Sequence, residues 1–165
     1  MTAITCILAP LSIPLPFSPV PISLTNLVIF ISVFILGMKD ATISFLIYLL
    51  LGTVGLPVFS SFRAGLSVLA GPTGGYLIGF IFLALIQGFA MKYFDRKLLP
   101  TIIGMLIGMA VCYIFGTVWL AKLMSLSFKE GLFMGVIPYL PGDAVKIIIA
   151  VIVGPKLYAA TKKVR

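Results

Sequence analysis

Four stretches of this chain carry no Asp, Glu, Lys or Arg: Met1–Met38, Ala41–Phe62, Ala64–Met91 and Leu98–Ala121. Each is long enough to cross a bilayer core, which takes about 20 mostly apolar residues. A soluble domain cannot hide so many uncharged residues, and a transmembrane barrel would show short alternating strands instead. The chain therefore reads as a polytopic, all-α membrane protein. A cleaved leader would be a single short apolar stretch at the start, whereas here the pattern fills the chain. Composition agrees: 61% of residues are hydrophobic and 10% charged, against about 45–50% and 25% in soluble domains. The length allows one bundle domain over 1–165.

Breakers divide the apolar runs. Pro10, Pro14, Pro16, Pro19 and Pro21 cannot sit in a helix interior. They separate a first segment near 1–12, short for a full span, from a second helix near 22–38 through an extended connector. A third helix is predicted over 40–56, ending at Gly55-Leu56-Pro57. A fourth covers 74–93, a fifth 99–122, and a sixth 141–160, with Pro141 suited to a first helical turn. The expectation is a six-transmembrane-helix bundle in the lipid bilayer.

The net charge of +8 is spread over segment ends and forms no basic groove, so it speaks for membrane topology and not for nucleic acid. Lys39, Lys92, Arg96, Lys97, Lys156, Lys162, Lys163 and Arg165 fall on one side. Arg63, Lys122, Lys129 and Lys146 fall on the other. The positive-inside rule then places the C-terminus and the 93–98 loop in the cytoplasm. The loops 10–21, 57–74 and 123–141 face outward. They are rich in proline and glycine and strongly apolar, so they are expected to pack on one another around a ligand site, since irregular backbone at membrane depth needs protein or a cavity around it.

"YLPGDAVKIIIAVIVG" holds the costliest residues in the chain. Asp143 and Lys146 stand three apart on one helix face and lead into Ile147-Ile148-Ile149. Ionisable residues at membrane depth mark function. The plainer reading makes Asp143 a helix cap and lets Lys146 snorkel. "GPTGGYLIGF", Gly71–Phe80, is a stiff turn opening an apolar helix. Gly74 and Gly75 offer free N–H groups at a helix start to an anion or carbonyl. The alternative is tight packing, with Gly75 and Gly79 forming a small-xxx-small pair. Phe59, Phe62, Tyr76 and Tyr139 surround the outward loops, and Arg63 is the sole charge in the 57–74 loop. Thr73 and Asn26 complete the candidate ligand-binding set.

Catalysis has little to work with. The chain has no His and four acidic residues, so neither a metal cluster nor a His-based triad can be assembled. No phosphate-binding loop is present, because no Gly-Lys-Ser/Thr follows the glycines. Cys6 and Cys112 sit far apart in apolar segments and read as small buried residues. A cofactor is not expected.

Four motifs in order, "PVPISL" at Pro19–Leu24, "GLPVF" at Gly55–Phe59, "AGPTGGYLIGF" at Ala70–Phe80 and "PGDAVK" at Pro141–Lys146, resemble the BioY family. These are the biotin-specific substrate-binding (S) components of energy-coupling-factor transporters. The resemblance covers nearly the whole chain. It implies a small membrane subunit that binds biotin as a transported ligand. Such a subunit works with a transmembrane coupling (T) subunit and two cytoplasmic ATPase subunits, and reorients to deliver the vitamin. Two features depart from the family pattern. Ala3 is followed four residues later by Ile7, where an Ala-xxx-Ala docking motif is expected. Arg63 in "SSFRAG" stands where a glycine-rich stretch is expected. The principal alternative is a stand-alone secondary transporter with Asp143 as a proton relay, although the two halves lack the self-similarity of internal repeats. An intramembrane enzyme or a ligand-free scaffold fits the residues less well.

Overall fold

A computed structural model describes residues 1–163; Arg165, counted above with the cytoplasmic cations, lies outside the described residues. Among those residues there are eight α-helices where six were expected. They are α1 (Thr2–Leu8), α2 (Thr25–Leu36), α3 (Met38–Thr53), α4 (Leu66–Ala70), α5 (Gly74–Tyr93), α6 (Leu98–Met124), α7 (Phe128–Gly135) and α8 (Leu140–Lys162).

The six expected segments appear with boundaries moved by a few residues. The two additional helices, α4 and α7, lie in loops. The start of α7 was written in "SFKE": Ser127 and Glu130 form a reciprocal capping box, which satisfies two otherwise orphan N–H groups. Helix α1 stops well short of residue 12 and spans seven residues. The lengths of α5 and α6, and of Phe128–Lys162 taken together, suffice to cross a membrane, and all three are apolar enough to do so.

The proline-rich connector is more ordered than expected. It folds into an antiparallel hairpin of β1 (Ser12–Leu15) and β2 (Ser18–Ser23), with Ser12 opposite Ser23 and Ile13 opposite Ile22. A two-stranded ribbon has only edges, so prolines that cannot donate a ladder hydrogen bond are tolerated there. The α2–α3 junction is a single residue, Gly37, at φ +81°, where a side chain would be strained.

Glycines set the α5–α6 contact. A Cβ on Gly75 would lie 2.4 Å from Trp119 Cβ, and one on Gly79 would lie 2.8 Å from Cys112 Cα. A Cβ on Gly74 would strike the Leu69 carbonyl at 1.7 Å. The glycines of the stiff turn therefore let backbones meet, the small-residue packing found between membrane helices. Beneath them lies a core that includes Phe30, Val33, Tyr48, Phe59, Leu83 and Met105.

Candidate functional site

A pocket opens among the hairpin, the first turns of α2, α5 and α8, and the middle of α6. The space between them, counting what opens to solvent, is about 560 Å³. Val20, Leu77, Phe80 and Met109 provide apolar walls, and Ser23, Asn26, Thr73, Tyr113, Asp143 and Lys146 provide polar ones.

Asp143 is the hub. Asn26 Nδ2 donates to its Oδ1 at 2.7 Å, Lys146 Nζ donates to the same oxygen at 2.8 Å, and the Tyr113 hydroxyl donates to Oδ2. Lys146 Nζ also donates to the Ser23 carbonyl at 2.7 Å, tying α8 to the end of β2. Asp143 is 7% exposed and Lys146 8%. They form the only salt bridge among the described residues. Burying two charges is costly, and the cost is offset only when geometry and extra hydrogen bonds are good. Here each ion has further partners besides the other. Asp143 is thus far more than a helix cap, and Lys146 does not snorkel.

The capacity left over is informative. A carboxylate has about four acceptor positions and an ammonium three donors. Asp143 uses three of its positions, and Lys146 uses two. One acceptor position, on Oδ2 of Asp143, and one donor of Lys146 remain, and both residues line the pocket. An N–H next to a C=O, the edge of an amide or a urea, matches that pair.

Six of the ten residues proposed from sequence line the pocket: Asn26, Thr73, Tyr76, Tyr139, Asp143 and Lys146. Three of these have hydroxyls engaged with the protein itself, Thr73 Oγ1 donating to the Val68 carbonyl at 3.4 Å. The Tyr76 hydroxyl donates to the Gly135 carbonyl at 3.0 Å, and the Tyr139 hydroxyl lies 2.8 Å from Ser18 Oγ and also reaches the Val20 carbonyl. Tyr139 thereby fastens the hairpin over the pocket. The other four lie elsewhere. Phe59 is 1% exposed and packs edge-on against Tyr48 at 5.6 Å. Gly74 and Gly75 face Leu69 and Trp119. Arg63 is exposed and its Nε points to the Ser60 carbonyl at 3.4 Å; it is Ser60 that reaches the pocket wall.

Sequence reading missed Tyr113, Ser23, Thr25 and Cys112, all in the pocket wall. Tyr113 was the findable one. It is a tyrosine in mid-span, where a hydroxyl needs a partner, and the buried carboxylate was already known. Cys6 and Cys112 are both free thiols.

A helical membrane protein whose loops and helix starts enclose one pocket around a buried ion pair is built to hold a small polar solute within an apolar frame. The chain belongs to the BioY family, whose model matches residues 1–163. It is similar to the biotin transporter BioY of Rhizobium etli, with 36% identity over 150 residues, covering 86% of this chain and 80% of the relative. It is 34% identical over 145 residues to the biotin transporter BioY of Thermotoga maritima, covering 88% of this chain and 85% of that one. Among solved structures it resembles the crystal structure of the S-component for biotin from an ECF-type ABC transporter. That match has a TM-score of 0.87 and 32% identity, and covers 94% of this chain and 85% of the other.

Proposed function

We propose that this chain is the biotin-binding S component of an energy-coupling-factor importer. It captures biotin at the outer face of the cell membrane and delivers it inward with a coupling subunit and two cytoplasmic ATPases. The spare acceptor on Asp143 and the spare donor on Lys146, both in the pocket wall, carry the reading. Biotin's ureido ring presents an N–H next to a C=O and bears no charge, so it fits that edge without adding an ion to the pocket. The apolar wall of Val20, Leu77, Phe80 and Met109 suits the rest of the fused ring. The similarity to biotin transporters and to a biotin S-component supports the same ligand.

The orientation rests on charge. Lys39, Lys92, Arg96 and Lys97 cluster where α2 meets α3 and where α5 ends, away from the pocket, so that end is cytoplasmic and the pocket faces outward. The test is to purify the protein in detergent and identify by mass spectrometry any small molecule released on denaturation, followed by titration calorimetry of the emptied protein with biotin. Retained biotin and a saturable heat support the reading. An emptied, folded protein that gives no heat with biotin refutes it.

A further inference from the structure

At the end of the bundle opposite the pocket, a second cleft of about 550 Å³, open to its surroundings and lined by exposed charged residues, lies between the α2–α3 junction and the end of α5. Five charged side chains line it: Lys39, Lys92 and Arg96, and Asp40 and Asp95. Among the described residues none of these is within 4.0 Å of an opposite charge, the Asp143–Lys146 pair being the only such contact. Asp40 stands in the first turn of α3 and is exposed.

The backbone aims Arg96 deliberately. Helix α5 ends with the Arg96 N–H on the Met91 carbonyl at 2.8 Å, a turn that usually contains glycine. Here Asp95 and Arg96 occupy the left-handed region at φ 49° and 58°, a conformation costly for a side chain such as arginine. The guanidinium is thereby turned back over the bundle. Its Nη1 donates to the Phe34 carbonyl at 2.7 Å, and its centre lies 3.9 Å from the ring centroid of Tyr158. That leaves most of its five N–H donors free for a ligand.

Helix α5, which contributes Gly88, Met91 and Lys92 to the cleft, also carries an apolar track. Ile78, Phe82, Leu85, Phe89 and Tyr93 recur at helical spacing along one side of α5, and all five are exposed. Phe89 and Tyr93 stack at 5.7 Å. Tyrosine is enriched at headgroup level on membrane helices, so Tyr93 marks the headgroup end of the track and the residues before it lead into the hydrocarbon.

We propose that the cleft seats the headgroup of a zwitterionic aminophospholipid, with an acyl chain along the α5 track. Lys39, Lys92 and Arg96 bind the phosphate, and Asp40 and Asp95 bind the primary ammonium. Cations alone would favour an anionic lipid, but the two carboxylates set among them repel net negative charge and match a group that carries both signs. A primary ammonium donates hydrogen bonds to carboxylates, whereas the quaternary ammonium of phosphatidylcholine cannot.

Native mass spectrometry of the whole chain in detergent, titrated with phosphatidylethanolamine, phosphatidylcholine or phosphatidylglycerol of identical acyl chains, tests this. Phosphatidylethanolamine is expected to be retained in preference to the other two. The pair Lys39→Gln and Lys92→Gln should weaken retention of all three, by about tenfold for each charge-assisted bond lost. The pair Asp40→Asn and Asp95→Asn should remove the preference over phosphatidylglycerol while phosphate binding survives. Arg96 is left intact because it also holds α2, and thermal unfolding in detergent checks that each variant is folded. Equal or stronger retention of phosphatidylglycerol by the unmodified chain overturns the proposal, as does retention that neither pair of substitutions changes. Soluble phosphoethanolamine, which lacks the chains, is expected to compete only weakly; if it binds as tightly as the lipid, the occupant is a soluble zwitterion and the lipid assignment falls.

Discussion

Replacing Asp143 by Asn tests the hydrogen-bond arithmetic of the pocket directly. In the folded protein Oδ1 of Asp143 takes bonds from Asn26 and Lys146, and Oδ2 takes one from Tyr113. An asparagine has one carbonyl oxygen with two lone pairs. If that oxygen keeps Asn26 and Lys146, its capacity is full, and the new NH2 faces both Tyr113 and any ligand N–H. The ligand then loses a bond to a charged acceptor, about 1.5–3 kcal/mol, which is roughly a 10- to 150-fold rise in Kd. Stability falls as well, because the Lys146 charge stays buried without its counter-ion, a change that costs about 3–5 kcal/mol. The double substitution Asp143→Asn with Lys146→Met separates the two effects. It removes the uncompensated charge and should recover thermal stability, while biotin affinity stays low. Titration calorimetry on detergent-purified protein, paired with melting curves, reads both. Wild-type affinity for biotin in folded Asp143→Asn protein would refute the assignment of the ureido group to this carboxylate.

Three further outcomes are expected. Gly75→Leu drives a side chain into Trp119 and Phe115 and should lower stability by about 1–3 kcal/mol, seen as a lower melting temperature; an unchanged melt would mean the α5–α6 contact is looser than described. Biotin amide lacks the tail charge. If Arg63, whose planar fork suits a carboxylate, swings inward to pair with the tail, the amide binds wild type more weakly, and Arg63→Ala weakens the acid but not the amide. Loss of the acid–amide difference in Lys146→Met, with Arg63→Ala unaffected, would instead place the carboxylate on Lys146. In a cysteine-free background, Arg63→Cys should react with an impermeant thiol reagent on intact cells and Lys97→Cys should not; the reverse pattern inverts the topology.

The bundle was legible because spans announce themselves. Uncharged runs and prolines gave the six main segments, and α5 came out with its boundaries unchanged at 74–93. What escaped was structure inside the loops. The hairpin was hidden because prolines argue against sheet, and only the pairing of Ser12 with Ser23 shows that a lone ribbon accepts them. Half of the polar heart of the site, Asp143 and Lys146, stood out by cost alone, since no other ionisable pair is set among isoleucines. Of their partners, Asn26 belonged to the candidate set and Tyr113 did not: Tyr113 is one of many aromatics, and its contact with Asp143 spans 30 positions of sequence. The glycines misled in the opposite direction. Gly74 and Gly75 looked like a place for a ligand because free N–H groups and room for close approach are the same signal that helix packing sends. Phe59 is the aromatic equivalent: its ring fills the space left by Gly52, where a Cβ would lie 2.2 Å from it.

Helices α2 and α8 explain how a buried ion pair can be held firmly at the edge of an open pocket. At one end Asn26 of α2 donates to Asp143 of α8. At the other, Gly154 of α8 admits the ring of Phe34 of α2, with 2.4 Å left where a Cβ would go, and Arg96 joins the Phe34 carbonyl to the Tyr158 ring. Between them Gln87 of α5 donates to the Phe30 carbonyl at 3.1 Å. The pair is therefore fixed by polar contacts at both ends and by a third helix in the middle. Asp143 does not depend on the pocket loops for its position, because its partners Asn26, Tyr113 and Lys146 all come from long helices. The loops contribute the hairpin, fastened by Tyr139 to Ser18 and Val20. The polar end of the site is thus built on rigid elements, as precise placement of a ligand's hydrogen bonds requires, and its cover is a hairpin tied to them through Tyr139 and Lys146.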